Sequence, residues 1–159
     1  MQYPRVQAKG ASEVEVLYRE HRDRLWRAVF LFCRDREMAS DSVAEAFAQA
    51  LRNEKTIRSV LPWVWRAAFA IAAGELKRRG RVTTANREGL VDIPEDAMVL
   101  AEALGRLPER DREALILRYV ADLSLREIAA ITGRTSAAVG MRLTRAKRKL
   151  RNLLEDDDD

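Results

Sequence analysis

The sequence has few of the residues that most often carry enzyme chemistry or bind metal ions. Its 159 residues include one cysteine, Cys33, and one histidine, His21. An intramolecular disulfide is therefore impossible, and a zinc site made of cysteine and histidine would lack ligands. No catalytic signature surrounds either residue, so we expect Cys33 to be a buried thiol. We expect no enzyme activity, no metal site and no cofactor.

Glycine, proline and long apolar runs are also scarce. The chain has 7 glycines and 4 prolines, and this composition favours helix. No stretch approaches the roughly 20 uncharged apolar residues that a membrane-spanning helix needs. The first dozen residues, MQYPRVQAKGAS, lack the apolar core of a signal peptide. We therefore expect an all-α protein without a membrane span, located in the cytoplasm.

The charge of the chain is uneven along its length. The formal net charge is +4, but residues 155–159 are all acidic, so residues 1–154 carry +9. Such an excess on a small helical protein indicates a polyanionic partner, although mildly basic soluble proteins are common. The acidic tail could fold back on a basic face, but acidic tails are usually disordered and solvated, and we expect that here.

The hydrophobic periodicity predicts two helices in the first fifty residues. Ser12 is a suitable N-cap for the first, and the segment RDRE at 34–37 separates it from the second. The second helix is expected to bury Met38, Val43, Phe47 and Leu51. Its outward residues, spaced by four, are Asp41, Glu45 and Gln49.

A third apolar helix follows a polar loop at residues 52–61. Pro62 is expected at its first position, where the missing N–H costs nothing. A core stripe is predicted for Trp65, Phe69, Ala72 and Leu76. The aromatic side chains of this half could form a binding stripe, but packing in the core explains them more simply. Residues 80–96 are polar and contain two glycines, which predicts a linker between two helical domains.

The stretch LSLREIAAITGRTSAAVGMRLTRAKRKLR is the most informative in the chain. Ser124 and Glu127 form a capping-box pattern before a short helix, Leu125 to Ile131. Gly133 can adopt positive φ in a tight turn, and Thr135 caps a longer helix. A short helix, a glycine turn and a second helix are typical of a helix-turn-helix.

The second helix of this motif has a core face and a basic face. The expected core stripe is Val139, Leu143, Ala146 and Leu150. The opposite face carries Ala137, Met141, Thr144, Arg145 and Arg148, with Arg142 and Lys149 on a flank. A basic helix alone is as often a solvated surface, but the whole motif favours DNA binding. Arg145 is the best candidate for a base contact, because a guanidinium can pair with guanine through two hydrogen bonds.

These residues resemble a known family. The segment LPERDREALILRYVADLSLREIAAITGRTSAAVGMRLTRAKRKLR is similar to domain 4 of the extracytoplasmic-function sigma factors, which are bacterial transcription initiation factors. LYREHRDRLWRAVFLFCRDREMASDSVAEAFAQAL and PWVWRAAFAIAAGELKRR resemble domain 2. The resemblance implies domain 2 at residues 12–79, a flexible linker at 80–96, domain 4 at 97–154 and an acidic tail at 155–159.

The resemblance also implies partners and contact residues. The protein would bind core RNA polymerase through the β′ clamp helices and the β flap, and it could have an anti-sigma factor. Polymerase contacts would come from Asp41, Glu45 and Gln49. Contacts to the promoter −10 element would come from Asn53, Lys55, Thr56, Arg58, Trp63, Arg66, Lys77, Arg78 and Arg79. Contacts to the −35 element would come from Arg134, Ser136, Ala137, Met141, Arg142, Thr144, Arg145, Arg148 and Lys149.

The chain departs from the usual family pattern at four positions. Ala44 stands where glutamine is usual, and Ala70 where asparagine is common. Gly140 replaces a frequent lysine or arginine, and Met141 replaces a frequent serine. Each change removes a hydrogen-bonding group that could face polymerase or DNA. We therefore expect the third helix to bind phosphates better than it reads bases.

Two other functions remain open from the sequence. One is a helix-turn-helix regulator that acts without polymerase, although such regulators carry a sensor or receiver in place of domain 2. The other is a sigma-like decoy that sequesters an anti-sigma factor, for which the changes at Ala70 and Gly140 would be suitable. The basic face of the last helix argues against a decoy.

Overall fold

The computed structural model describes residues 10–80 and 95–158 of the chain. In these residues the protein is all-α. Its helices are α1 (Glu13–Cys33), α2 (Arg36–Arg52), α3 (Val60–Arg78), α4 (Glu95–Gly105), α5 (Glu109–Leu115), α6 (Leu125–Thr132) and α7 (Ser136–Asp158). A five-residue π-helical turn, Ile116–Val120, continues α5.

Capping residues set the ends of the first two helices. The Ser12 hydroxyl accepts a hydrogen bond from the Glu15 backbone N–H at 3.1 Å, as the sequence predicts for an N-cap. Arg34 ends α1 in the left-handed conformation with φ 59°. The Asp35 carboxylate then accepts a hydrogen bond from the Met38 backbone N–H at 2.9 Å and starts α2. The RDRE segment is therefore the break that its pattern predicts.

Helices α1, α2 and α3 enclose one part of the core. The predicted α3 stripe is correct, since Trp65, Phe69 and Ala72 are buried and Leu76 packs against the core. The rings of Phe32 and Phe69 meet edge to face with centroids 5.1 Å apart. Core packing therefore accounts for these aromatic side chains, as we expected.

The helix-turn-helix has the predicted local geometry. Ser124 and Glu127 form a reciprocal capping box at the start of α6. Gly133 ends α6 with φ 70°, a conformation that glycine adopts without steric cost. The Thr135 hydroxyl accepts a hydrogen bond from the Ala138 backbone N–H at 3.1 Å and caps α7. In α7 the stripe of Val139, Leu143 and Ala146 is buried.

The helices form two groups, α1–α3 and α4–α7, and these groups contact each other directly. The Arg66 guanidinium of α3 donates hydrogen bonds to the backbone carbonyls of Ala130 and Ile131, both at 2.7 Å. The Arg112 guanidinium of α5 lies 4.7 Å from the centroid of the Phe32 ring. Arginine therefore makes two of the contacts between the groups.

Three details differ from the sequence-based expectation. Leu51 is 51 % exposed, so its predicted inward position is wrong. Pro62 is the third residue of α3, because Val60 and Leu61 precede it, but it still lies in the first turn, where backbone N–H groups have no helical acceptor. Helix α7 continues to Asp158, although we expected a disordered tail, and Asp157 pairs with Arg106 at 2.9 Å.

The predicted linker lies largely outside the described residues. Residues 81–94 are not described, whereas α4 already begins at Glu95, two residues before the predicted start of the second domain.

Candidate nucleic-acid and polymerase interfaces

The recognition helix α7 presents a basic and partly apolar face. Arg145, Arg148 and Thr144 are exposed on the side opposite the buried stripe. The two arginines make no ion pair or hydrogen bond within the described residues, so their donors are available to a partner. Also exposed are Arg134, Ala137, Met141 and Lys149, while Ser136 is half-buried.

Two of the predicted −35 contacts are tied to a buried carboxylate. Asp111 is nearly fully buried, and it accepts hydrogen bonds from Arg142 at 2.9 Å and Lys149 at 2.8 Å. Burial alone would raise the pKa of Asp111, but the hydrogen bonds and charges of Lys149 and Arg142 outweigh it and lower that pKa. These ion pairs fix α7 on α5, so Arg142 and Lys149 have a structural role besides any contact with DNA.

The loop before α3 is stabilised by its own polar side chains. The Asn53 amide donates to the Gln49 backbone carbonyl at 2.8 Å, and the Thr56 hydroxyl donates to the Asn53 carbonyl at 2.9 Å. Both residues are exposed, as are Lys55 and Arg58. The loop therefore presents two cations on a locally ordered backbone.

Helix α3 and its C-cap residue Arg79 carry more than half of the predicted −10 contacts, and their arginines have partners within the protein. Arg78 and Arg79 both pair with Glu75, and Arg79 also reaches Asp35 at 3.2 Å. Arg66 donates hydrogen bonds to the C-terminal carbonyls of α6, which receive no hydrogen bond from a backbone N–H of their own helix. The remaining predicted contacts are Lys77, which is exposed, and Trp63, which is half-buried.

The outward row of α2 is polar and exposed at Asp41 and Glu45, with Gln49 half-buried. Glu45 accepts hydrogen bonds from Gln49 at 3.1 Å and Arg52 at 3.0 Å. These hydrogen bonds, first that of Gln49, lower the pKa of Glu45 because they favour its charged form.

An apolar groove between α1 and α2 borders this row, and sequence patterns alone did not reveal it. Tyr18 and Leu51 are exposed there, and the Tyr18 ring meets the Phe47 ring edge to face at 5.0 Å. The groove has a volume of about 460 Å³ and is lined by Val14, Glu15, Tyr18, Arg19, Ala44, Phe47, Ala48 and Leu51. Leu51 continues the apolar spacing of α2, so the sequence pattern predicts it in the core although it lines this groove.

A second cleft of about 260 Å³ lies where α3 faces the helix-turn-helix. Its lining includes Arg66, Arg110, Arg134, Arg142 and Glu113. Burial raises the pKa of Glu113 to about 7, with a smaller contribution from Glu109, while Arg110 and Arg142 oppose the shift. Glu109 also lines the cleft, so four arginines face two glutamates there and the cations outnumber the carboxyl groups.

The cysteine behaves as expected. Cys33 is buried, and burial raises the pKa of its thiol to about 11, which leaves it protonated and unreactive at neutral pH. His21 is half-buried and meets the Trp65 ring edge to face at 6.1 Å. Within residues 10–80 and 95–158 there is no cluster of potential metal ligands, and no helix is long and apolar enough to cross a membrane.

Comparison with known proteins identifies the family. The model of Sigma-70, region 4, matches residues 97–150, which include the helix-turn-helix. The RNA polymerase sigma factor SigV of Bacillus subtilis is 30 % identical over 149 residues, covering 87 % of this chain and 89 % of SigV. The chain belongs to the extracytoplasmic-function sigma factors. It is accordingly a transcription initiation factor that works with RNA polymerase.

Two further relatives are described as extracytoplasmic-function sigma factors. BldN of Streptomyces coelicolor is 29 % identical, covering 96 % of this chain and 64 % of BldN. SigM of Mycobacterium tuberculosis is 28 % identical, covering 87 % of this chain and 75 % of SigM. The similarity therefore spans both groups of helices and not the helix-turn-helix alone.

Solved structures agree with the all-α fold. CnrH, solved in complex with the cytosolic domain of CnrY, has a TM-score of 0.72 at 26 % identity, covering 91 % of this chain and 88 % of CnrH. RpoE from Bartonella quintana, solved with the anti-sigma factor NepR, has a TM-score of 0.68 at 20 % identity, covering 89 % of this chain and 98 % of RpoE. The second likeness concerns the fold alone.

Proposed function

We propose that this sigma factor divides promoter recognition between its two groups of helices. Helix α7 enters the major groove of the −35 element, with its N-terminal half at the bases and its basic C-terminal half at the phosphates. The loop 53–59 and helix α3 contact the −10 element and assist its melting. The observation that carries this proposal is the helix-turn-helix whose second helix exposes Arg145 and Arg148, neither of which has a partner among residues 10–80 and 95–158.

The polymerase-binding surface is proposed to be the α2 row together with the groove beside it. Asp41, Glu45 and Gln49 supply charge and hydrogen-bonding groups, and the groove supplies apolar area at Tyr18 and Leu51. A polar rim around an apolar centre is typical of protein–protein interfaces. We propose that the β′ clamp helices bind here and that the β flap contacts the second group of helices.

A second protein partner, an anti-sigma factor, is also part of the proposal. It is supported by the likeness to CnrH, which was solved in complex with the cytosolic domain of CnrY. We further propose that the protein acts in the cytoplasm, where polymerase and promoter DNA are found, and that it has no catalytic activity of its own.

In vitro transcription from a genomic DNA library tests this function. The full chain is mixed with core polymerase, and transcript starts are mapped with and without it. We expect starts that appear only with the protein and share two upstream elements. A control lacking the proposed −35 surface combines Arg145→Ala and Arg148→Ala, and it should lose these starts.

Other outcomes separate the remaining functions. Binding to an anti-sigma factor without any specific transcript would identify a decoy. Sequence-specific binding to duplex DNA by the free chain, with no effect on polymerase, would identify an independent regulator. Either result would overturn the proposal.

A further inference from the structure

The base-facing part of α7 is unusually apolar. Met141 is 62 % exposed, more than any other large apolar side chain in the described residues. Ala137 precedes it by four residues and Thr144 follows by three, so all three lie on one face of the helix. From Ala137 to Thr144 the helix rises about 10 Å, which matches about three base-pair steps.

The polar groups near Met141 are already engaged within the protein. The Thr144 hydroxyl donates to the Gly140 backbone carbonyl at 3.0 Å, so its single proton is used inside the helix. Arg142 is held by Asp111. Gly140 brings no side chain to this turn, and a Cβ there would meet only Leu125, at 4.0 Å. Among the polar side chains within four residues of Met141, only that of Arg145 makes no hydrogen bond or ion pair in the described part of the chain, so direct hydrogen-bond readout beside Met141 is left to Arg145.

An apolar side chain can distinguish one feature in the major groove. Thymine carries a C5-methyl group on its major-groove edge, and none of the other three bases has one. We propose that Met141, supported by Ala137, recognises the methyl group of a thymine in the −35 element. This inference rests on the proposed placement of α7 in the major groove. The contact with the base depends on dispersion and on burial of the methyl group, and not on a hydrogen bond.

Methyl recognition can be measured without changing any hydrogen bond of the DNA. The full chain is assembled with core polymerase, and −35 sequences are selected from a library randomised at that element. Each thymine of the selected sequence is then replaced singly by deoxyuridine, which lacks only the methyl group. We expect one such replacement to weaken promoter binding by roughly threefold to tenfold, as burial of a methyl group implies.

Two variants assign the effect to this side chain. Met141→Ala should bind the thymine and deoxyuridine promoters equally, and Met141→Leu should keep a preference for thymine. Alanine and leucine are strong helix formers and the position is exposed, so both variants should fold. Equal thermal midpoints confirm that the comparison is between folded proteins.

Each result bears on a separate claim. No methyl-sensitive thymine in a selected −35 element, or the same sensitivity in Met141→Ala, would overturn the role of Met141 and leave α7 as the −35 helix. The absence of any selected −35 sequence would overturn the proposed function of α7, and this inference with it.

Discussion

The two helices proposed to contact DNA differ in how their cations are held. On α7, Arg145 and Arg148 have no partners within the described residues. On α3 and at its C-cap, Arg66, Arg78 and Arg79 are all bound to carbonyls or carboxylates of the protein. A free guanidinium can pair with a base or a phosphate at no cost in existing contacts, whereas a bound one must first exchange its partner. Helix α7 is therefore better prepared than α3 for contacts that read sequence.

The largest expected effect concerns the attachment of α7. Asp111→Asn removes the buried negative charge that holds Arg142 and Lys149. We expect the free energy of unfolding at pH 7 to fall by about 2–3 kcal/mol, at the low end for a buried ion pair because Lys149 is half exposed. Urea unfolding measures this, with Glu102→Gln, an exposed carboxylate on α4, as the control.

The pH dependence of this variant gives an independent check. The pKa of Asp111 is lowered in the folded state, so its stabilising effect is present above the unfolded pKa and is lost as pH falls through the folded value. The difference in the free energy of unfolding between wild type and Asp111→Asn should therefore become smaller as the pH is lowered. A constant difference from pH 7 to pH 3 would contradict the ion-pair explanation.

The second effect tests the base-reading role of α7. Arg145→Ala should reduce discrimination within the −35 element by about 1–3 kcal/mol, because a bidentate contact with guanine is lost. Binding by the reconstituted holoenzyme to matched and single-substituted promoters measures it. Arg151→Ala, which removes an exposed arginine farther along α7, is the control. Weaker, salt-dependent binding with unchanged base preference would assign Arg145 to phosphates instead.

The third effect tests whether the hydrogen bonds of Arg66 stabilise the folded protein. Arg66→Ala leaves the Ala130 and Ile131 carbonyls without their donors and removes a cation from the C-terminal end of α6. We expect the free energy of unfolding to fall by about 1–2 kcal/mol, since water can replace part of the lost bonding. Arg27→Ala, an exposed arginine on α1, should change it little. Equal effects from both variants would show that Arg66 does not stabilise the contact.

These contacts show what the sequence could and could not predict. Helices α1–α3, helices α6 and α7, the caps at Ser12 and Ser124 and the Gly133 turn follow from local residue order, and the sequence predicts them correctly. Glu75 precedes Arg78 and Arg79 by three and four residues, a spacing that makes their pairing foreseeable. The Arg66 partners lie 64 and 65 residues away, so no local pattern indicates them.

The groove on α1 and α2 was missed for a related reason. Leu51 continues the apolar spacing of its helix, yet its side chain is 51 % exposed and lines the groove between α1 and α2. Hydrophobic periodicity identifies which side of a helix is apolar, but it does not determine how closely a neighbouring helix covers each residue on that side. For the proposed contact residues, the sequence predicts exposure more readily than it predicts their hydrogen-bond and ion-pair partners within the protein.

A smaller effect is expected at Gly140, which the family pattern makes unusual. An added Cβ would meet only Leu125, at an ordinary contact distance of 4.0 Å. Gly140→Ala should therefore raise the free energy of unfolding by about 0.5–1 kcal/mol through helix propensity. Gly133→Ala is the contrasting control and should destabilise the fold, because φ there is 70°. A loss of stability in Gly140→Ala would show that this turn of α7 requires glycine.

The smallest effect separates phosphate binding on α3 from base reading on α7. Arg78→Ala should weaken promoter binding by a similar factor for all sequences and reduce the slope of log K against log salt by at most about one. The reduction is limited because Glu75 already neutralises part of this charge. Glu75→Gln should do the opposite, since it releases Arg78 to bind phosphates and leaves Arg79 paired with Asp35 alone, and so steepens the salt dependence. Holoenzyme binding from 50 to 200 mM salt, a range of roughly fourfold in concentration, resolves both changes. If neither variant moves the slope, the arginines at the end of α3 serve the protein and not the DNA, and −10 contacts fall to the loop 53–59.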